Sequence, residues 1–425
     1  MPSDDLIAGK IGIGTTVRIA WRNLARSRRR TLLTASTVGF AVFLLEVLTA
    51  LLIGIERQSF DNLINYQTAH AKVYAAGYFE NRDELPLNFT LTSVDETEAL
   101  IRSVDGVAAT TSRLVFSAQL SDGVDQITSI GTGIQIRGSD SEVFRIKEAV
   151  VDGSYLEEGV EGMLLGVSLA EFFDVKSGDY LTVLLKTRDG AYEALDLEII
   201  GLLGTGFPAI DRNGFLLPLE IAQDMLDTRG EATEIAIRFQ PSAAETSVVR
   251  RLSAVLGDQS NLEIKTWKEV EEDFMALVEM KRTAQGVFLS IFVIMAIVGI
   301  TNTIVMATYE RTREIGTMMA MGFRPSGIRG LFLVEGALTG FVGGAIGTIV
   351  AMLVVGYFAS TGIDLNALYG EIDIGYPIKD MMYPAMSMTL FLVSWVLTGI
   401  LSAIASLYPA ARASRLRPAT ALRYV

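Results

Sequence analysis

The sequence predicts an integral membrane α-helical protein with four spans and a large α+β extracytoplasmic domain inserted between spans 1 and 2. Three observations predict it. Four windows are almost purely apolar, most of the acid lies in one block between the first two, and inside that block the hydrophobic period changes to that of strands.

The apolar windows are Leu32 to Ile55, Thr283 to Tyr309, Gly336 to Ile363 and Met381 to Ala411, with Glu46 the one charge among them. Each exceeds the roughly 20 residues that cross a bilayer's hydrocarbon core. The first window is too long for a signal-peptide core and no A-x-A site follows it, so it is expected to stay as an anchor. The order is then 1–31 amphipathic helix and basic flank, 32–55 span one, 56–281 stalk and α+β domain, and 283–309 span two. A loop at 310–329, span three at 330–359, a short outer loop at 360–382, span four at 383–408 and a tail at 409–425 complete it.

Arginines set the orientation. They crowd "WRNLARSRRR" before span one, the 310–329 loop and the tail, whereas the 360–382 loop is acidic. Lys and Arg mark the cytoplasmic side, so both termini and the 310–329 loop are expected inside and the large domain outside. Net charge is −13, yet residues 56–281 carry 39 Asp and Glu against 19 Lys and Arg. Such an acidic block argues against nucleic acid as its partner.

Val17 to Arg26 reads as an amphipathic helix, with Val17, Ala20, Trp21 and Leu24 on one face and Arg18, Arg22 and Arg26 on another. It suits a helix lying on the inner membrane surface; a charged flank to span one is the plainer reading. Helical patterns continue past span one through Phe60, Leu63 and Ile64, and precede span two through Val270, Phe274, Leu277 and Val278. Both read as stalks. Between them Leu195, Leu197 and Ile199 alternate with acids, as do Ile235, Ile237 and Phe239 with polar residues, which predicts half-buried strands. Asp189-Gly190 signals a hairpin. Ser93 with Glu96, and Ser242 with Glu245, read as capping boxes, the second helix stopping at Gly257. Subdomain boundaries are expected near Ala118 and Leu165.

Catalytic chemistry is not legible. There is no G-x-x-x-x-G-K-[ST], no H-E-x-x-H and no Cys, and His70 is the only histidine. P-loop nucleotide binding, His or Cys metal sites and thiol chemistry are excluded. His70 reads as structural or surface, and Glu269, Glu271, Glu272 and Asp273 as a solvated helix face. No catalytic residue and no metal ligand is assigned.

The spans carry packing signals. Gly336, Gly340 and Gly344 form one small-residue line on span three, and Ser394, Thr398, Ser402 and Ser406 another on span four. Such lines let helix backbones approach closely, within or between protomers. Glu46 either lines a cavity or anchors a helix interface, because a carboxylate at membrane depth needs protein or water around it. Glu335 either reaches the membrane edge or pairs with a loop arginine.

The segment "ERTREIGTMMAMGFRPSGIRGLFLVEGALTGFVGGAIG" resembles the signature of MacB/FtsX-like ABC transporter permeases, closest to the lipoprotein-releasing (LolC/LolE-like) branch. "AWRNLARSRRRTLLT" is similar to that family's entry to span one and "YPAARASRLRPATALRYV" to its C-terminal signature. "LLGVSLAEFFDVKSGDYLTV", "LPLEIAQDML" and "TWKEVEEDFMALVEMKR" resemble its extracytoplasmic domain. The resemblance implies that the 310–329 loop forms a coupling helix docked on a cytoplasmic ABC ATPase dimer, with Glu310, Arg311, Arg313, Glu314, Ile315, Gly316, Ala320 and Gly322 as docking candidates. It implies a second permease, as homodimer or heterodimer, and no cofactor on this chain, ATP-Mg being bound by the partner ATPase. Cargo would be a lipoprotein or another amphipathic molecule taken from the lipid bilayer, with Phe40, Phe43, Glu46, Val47, Leu48, Phe288 and Phe292 as candidate cavity lining. The branch's chaperone-binding permease carries a long hairpin hook, whereas the matching "KTRDGAYEA" here is a tight turn. Three functions stay open: a non-enzymatic permease releasing lipoproteins or exporting other amphipathic cargo, an FtsX-like scaffold regulating cell-wall hydrolases, and a macrolide or peptide efflux permease. The missing catalytic constellation counts against the remaining reading, an unfamiliar membrane enzyme.

Overall fold

A computed structural model describes residues 13–26, 28–136, 139–257, 261–310, 312–321, 323–364 and 381–414. Among the described residues, four helices are long and apolar enough to cross a membrane: Thr31–Thr68, Glu272–Gly299, Pro325–Thr361 and Met388–Arg412. The chain is an integral membrane protein with an extracytoplasmic domain. It divides into two units, one of 1–54, 279–363 and 383–425, the other of 55–278 and 364–382.

Among the described residues, the second unit is built on one ten-stranded sheet. Its strands are β1 Ala71–Ala75, β2 Val107–Ser121, β3 Gln126–Ile134, β4 Val150–Gly153 and β5 Gly162–Gly166, then β6 Tyr180–Lys186, β7 Tyr192–Leu203, β8 Gly214–Pro218, β9 Glu234–Phe239 and β10 Leu262–Thr266. They run in the order β10-β1-β9-β2-β3-β8-β5-β7-β4, and β6 pairs with both β2 and β7. That last pairing closes β2-β3-β8-β5-β7-β6 into a ring, which leaves those strands few open edges. Its core gathers Phe116, Leu120, Leu165, Val183, Leu197 and Phe215, capped by the helices Val167–Phe173 and Leu219–Leu226. The open side, β10-β1-β9, buries Val73, Ile235 and Ile237 against Ile101, Val248 and Leu252 of the helices Val94–Arg102 and Glu245–Leu256.

β2 belongs to both halves. Its first half, through Arg113, pairs with β9; from Ala118 it pairs with β6. The boundary expected at Ala118 is therefore a change of partner inside one unbroken strand. Leu165, the other expected boundary, is fully buried in β5.

The Asp189-Gly190 hairpin joins β6 to β7, with Gly190 at φ +88°. The turn is fastened down. Arg188 Nη1 donates to Glu231 Oε1 at 3.0 Å, its Nη2 pairs with Glu231 Oε2, and its Nε donates to the Leu87 carbonyl at 3.1 Å. This ion pair holds Glu231 below the ordinary carboxylate range. β9 departs from the half-buried expectation, since Glu234 and Ala236 are buried as well as Ile235 and Ile237. As a central strand it is covered on both faces, and buried Glu234 is matched by Lys72 of β1 at 2.7 Å.

Two capping expectations fail. The helix opens at Glu245 with Ala244 as its N-cap, because Pro241 and Ser242 are spent in a turn where Ala243 N–H bonds the Gln240 carbonyl at 3.0 Å. Ser93 stands at the N-cap of Val94–Arg102, yet its side chain makes no cap bond. The formed capping box is Thr266 with Glu269. Gly257 caps the second helix at φ −65°, without the left-handed turn. Nor is the acidic face simply solvated: Glu269 serves the cap, and Glu271 accepts from Gln67 Nε2 at 2.9 Å while burial raises its pKa.

His70 is structural. It stacks on Phe239 with centroids 5.2 Å apart, and its Nδ1 accepts from the Phe239 N–H at 3.4 Å. Burial first, then Arg238, lowers its pKa to about 4.

Candidate coupling segment and membrane-helix contacts

Within the membrane unit the span-two helix Glu272–Glu310 is followed by a short helix, Thr312–Ala320, and then by the span-three helix Pro325–Thr361. Pro325 occupies the first turn of span three, where its missing N–H costs nothing. The short helix is amphipathic, and its apolar face turns inward. Ile315 is fully buried with Ile328, Phe332 and Ala410, and Met318, Met319 and Phe323 pack around them. Thr312 and Gly316 are buried too, whereas Arg313, Glu314, Thr317 and Ala320 are exposed.

The eight docking candidates thus separate. Arg313, Glu314 and Ala320 lie on the outward face. Ile315 and Gly316 lie on the inward face, the side a helix must bury to sit on its own protein. Glu310 ends the span-two helix; its side chain, like Arg311 and Gly322, falls outside the described residues.

The span-three glycines meet span four. A Cβ on Gly340 would lie 2.4 Å from Ser402 Oγ, one on Gly336 2.7 Å from Ser406 Oγ, and one on Gly344 3.4 Å from Thr398 Cγ2. Both predicted lines therefore face each other within one chain. A second line was missed: Gly343 and Gly347 meet Ala35, Val38 and Gly39 of the span-one helix Arg28–Leu63. The signal was present, because Gly343 and Gly347 stand four residues apart on a different face from Gly340 and Gly344.

Glu46 is fully buried and connects three spans. Its Oε1 accepts from Thr348 Oγ1 of span three at 2.8 Å and from Ser394 Oγ of the span-four helix Met388–Ala413, while Oε2 is buried without a partner. Of the two readings, the anchored interface is the one found. Phe43 and Val47 pack in the neighbouring cluster with Ala50, Ala351, Val355 and Phe391. Glu46 is enclosed by these helices, whereas Phe43 and Val47 are half-buried beside it. Phe40 and Phe288, 63% and 64% exposed, and Leu48 face outward, and Phe292 lies in the span-two helix with its side chain outside the described residues. Glu335 is buried rather than extended to an edge.

Two family profiles match. The MacB-like periplasmic core domain matches residues 31–255, more than half of the chain, and the FtsX-like permease C-terminal matches residues 286–418. The lipoprotein-releasing system transmembrane protein LolC of Xylella fastidiosa is 26% identical over 433 residues, covering 96% of this chain and 98% of that one. The macrolide export ATP-binding/permease protein MacB of Haemophilus ducreyi is 26% identical over 203 residues, covering 44% of this chain and 25% of that one. The crystal structure of the periplasmic region of MacB from Actinobacillus actinomycetemcomitans aligns with a TM-score of 0.38 at 13% identity, over 51% of this chain and 97% of that one, a likeness too low to carry any argument. On the two family matches, this chain belongs to the MacB/FtsX/LolC family of ABC transporter permeases.

Proposed function

We propose that this permease releases lipoproteins from the membrane, driven by a separate cytoplasmic ABC ATPase dimer and working beside a second permease. The reading is carried by one observation: similarity to LolC runs along nearly the whole of both chains, whereas similarity to MacB covers 25% to 35% of that protein. Release of a lipid-anchored protein also suits a chain that has a large outer domain and no nucleotide-binding motif of its own.

In this reading both termini and Thr312–Ala320 are cytoplasmic, and the acidic domain is outside. Arg313, Glu314, Thr317 and Ala320 form the docking surface for the ATPase. Ile315 and Gly316 act as the brace. A displacement of the short helix pushes Ile315 against Ile328, Phe332 and Ala410, and so moves the ends of spans three and four together, because a packed core transmits strain rather than absorbing it. ATP-Mg stays on the partner. The fastened β6–β7 turn offers no long hook, so handover to a soluble carrier falls to the second permease.

Co-purification from membranes tests this. An ATPase and bound lipoprotein are expected together; a cell-wall hydrolase without lipoprotein would favour the regulatory scaffold, and no ATPase would end the proposal. Reversing charge at Arg313 and Glu314 should abolish ATPase association while membrane insertion persists.

A further inference from the structure

The helix Ile13–Arg26 has three faces rather than two. Ala20 and Leu24 are buried, and the helix packs on the span-three helix. What remains outside divides into two stripes at four-residue spacing. Val17, Trp21 and Ala25 form the first. Arg18, Arg22 and Arg26 form the second, about 100° further round the helix. Trp21 is 57% exposed. Thr31 Oγ1 donates to the Leu24 carbonyl at 3.0 Å and fixes the corner where span one begins, with Arg28 and Arg29 also exposed.

No Asp or Glu occurs from Leu6 to Leu45. Among the described residues, none of the five exposed arginines has an acidic partner. We infer that this corner binds anionic phospholipid, its apolar stripe in the acyl boundary and its arginines on the headgroup phosphates. Guanidinium forks match phosphate oxygens in geometry as well as charge. The apolar stripe selects the lipid: a free phosphate has no use for an exposed Trp beside the arginines, and an acidic protein groove would leave it uncovered. The corner also adjoins a span, so bilayer lipid is always within reach. Each cation near an anionic surface adds roughly a fivefold preference, so several acting together outweigh the stripe's lipid-blind apolar contact. Nothing in this depends on which cargo the permease moves.

The full chain in phosphatidylcholine nanodiscs, with trace dansyl-phosphatidylglycerol or dansyl-phosphatidylcholine, provides the test. Trp267→Phe and Trp395→Phe leave Trp21 the only tryptophan among the three, so energy transfer reports on the lipid beside it. Transfer to the glycerol probe should exceed that to the choline probe by about threefold or more, weaken with added salt, and fall to parity in the Arg18→Gln/Arg22→Gln/Arg26→Gln variant. Native mass spectrometry on the chain with all tryptophans intact should show the same variant retaining fewer phosphatidylglycerol molecules, which guards against a folding defect in the tryptophan background. Equal transfer to both probes, selectivity that survives the arginine changes, or displacement by millimolar inorganic phosphate would each overturn the inference. So would a variant that keeps its lipid preference and loses the ATPase, since the arginines would then serve a protein.

Discussion

Gly39 and Gly347 meet backbone to backbone: a Cβ on Gly347 would lie 2.2 Å from the carbonyl oxygen of Gly39. With lipid outside as apolar as the side chains within, spans gain little from hydrophobic burial, and close backbone approach is the main source of cohesion. Span three uses it twice, toward span one through Gly343 and Gly347 and toward span four through Gly336, Gly340 and Gly344.

Gly347→Val should accordingly destabilise the membrane unit by about 1–3 kcal/mol through overpacking. Gly286→Ala, at a site with nothing within 4 Å, should be neutral or slightly stabilising by roughly 0.5–1 kcal/mol of helix propensity. Thermal unfolding in detergent compares the two.

Glu46→Gln keeps an oxygen for Thr348 and Ser394 and cannot bear charge. It should leave stability equal or higher, whereas Glu46→Ala should cost about 2–5 kcal/mol by opening a cavity where three helices join. Equal damage from both changes would show that the carboxyl group itself is required.

Arg113 of β2 donates to both oxygens of Asp140, at 2.8 and 3.0 Å, and its guanidinium lies 3.4 Å from the Phe144 ring centroid. Both partners are buried. Asp140→Ala should destabilise the outer unit by about 3–5 kcal/mol, because it strands a charge without its counterion. Denaturant unfolding of the full chain in a Trp21→Phe/Trp395→Phe background, followed by Trp267 fluorescence, measures this.

His70 predicts an acid response with a definite sign. Its folded pKa of about 4 lies below the ordinary value of 6.5, so the unfolded chain binds its proton more readily. The His70 contribution to stability should be level above pH 6.5, fall as pH drops toward 4, and level again below. Glu231, held low by Arg188, adds loss only below 4.5, while Glu271, raised by burial, works in the opposite direction. His70→Gln should flatten the 6.5-to-4 portion alone, read from unfolding midpoints across pH.

Ile315→Ala should separate docking from coupling. On the proposed function the outward residues are untouched, so the ATPase should still co-purify, while the proposed lipoprotein release falls several-fold for want of the contact with Ile328 and Phe332. Loss of the ATPase itself would instead make Ile315 part of the docking surface.

The four spans were legible because composition at that length has few other solutions, and the β6–β7 hairpin because Asp-Gly at a turn is local chemistry. Closure of the ring was not, since β2 meets β6 across some sixty residues of sequence and no local pattern encodes that pairing. The site divides in the same way. A motif placed Ile315 and Arg313 on one segment, but which faces outward depends on Phe332 and Ala410, far along the chain. Glu46 was conspicuous as a charge in an apolar run, and only the three-dimensional arrangement supplied Thr348 and Ser394 to fix its role.

The double membership of β2 has an engineering consequence. No cut through the outer domain can yield two autonomous fragments, for either piece would keep a strand stripped of half its ladder. Chimaeras with relatives must therefore exchange that domain whole, and a protease that nicks between β2 and β9 should leave the fragments clinging together until denaturant is added.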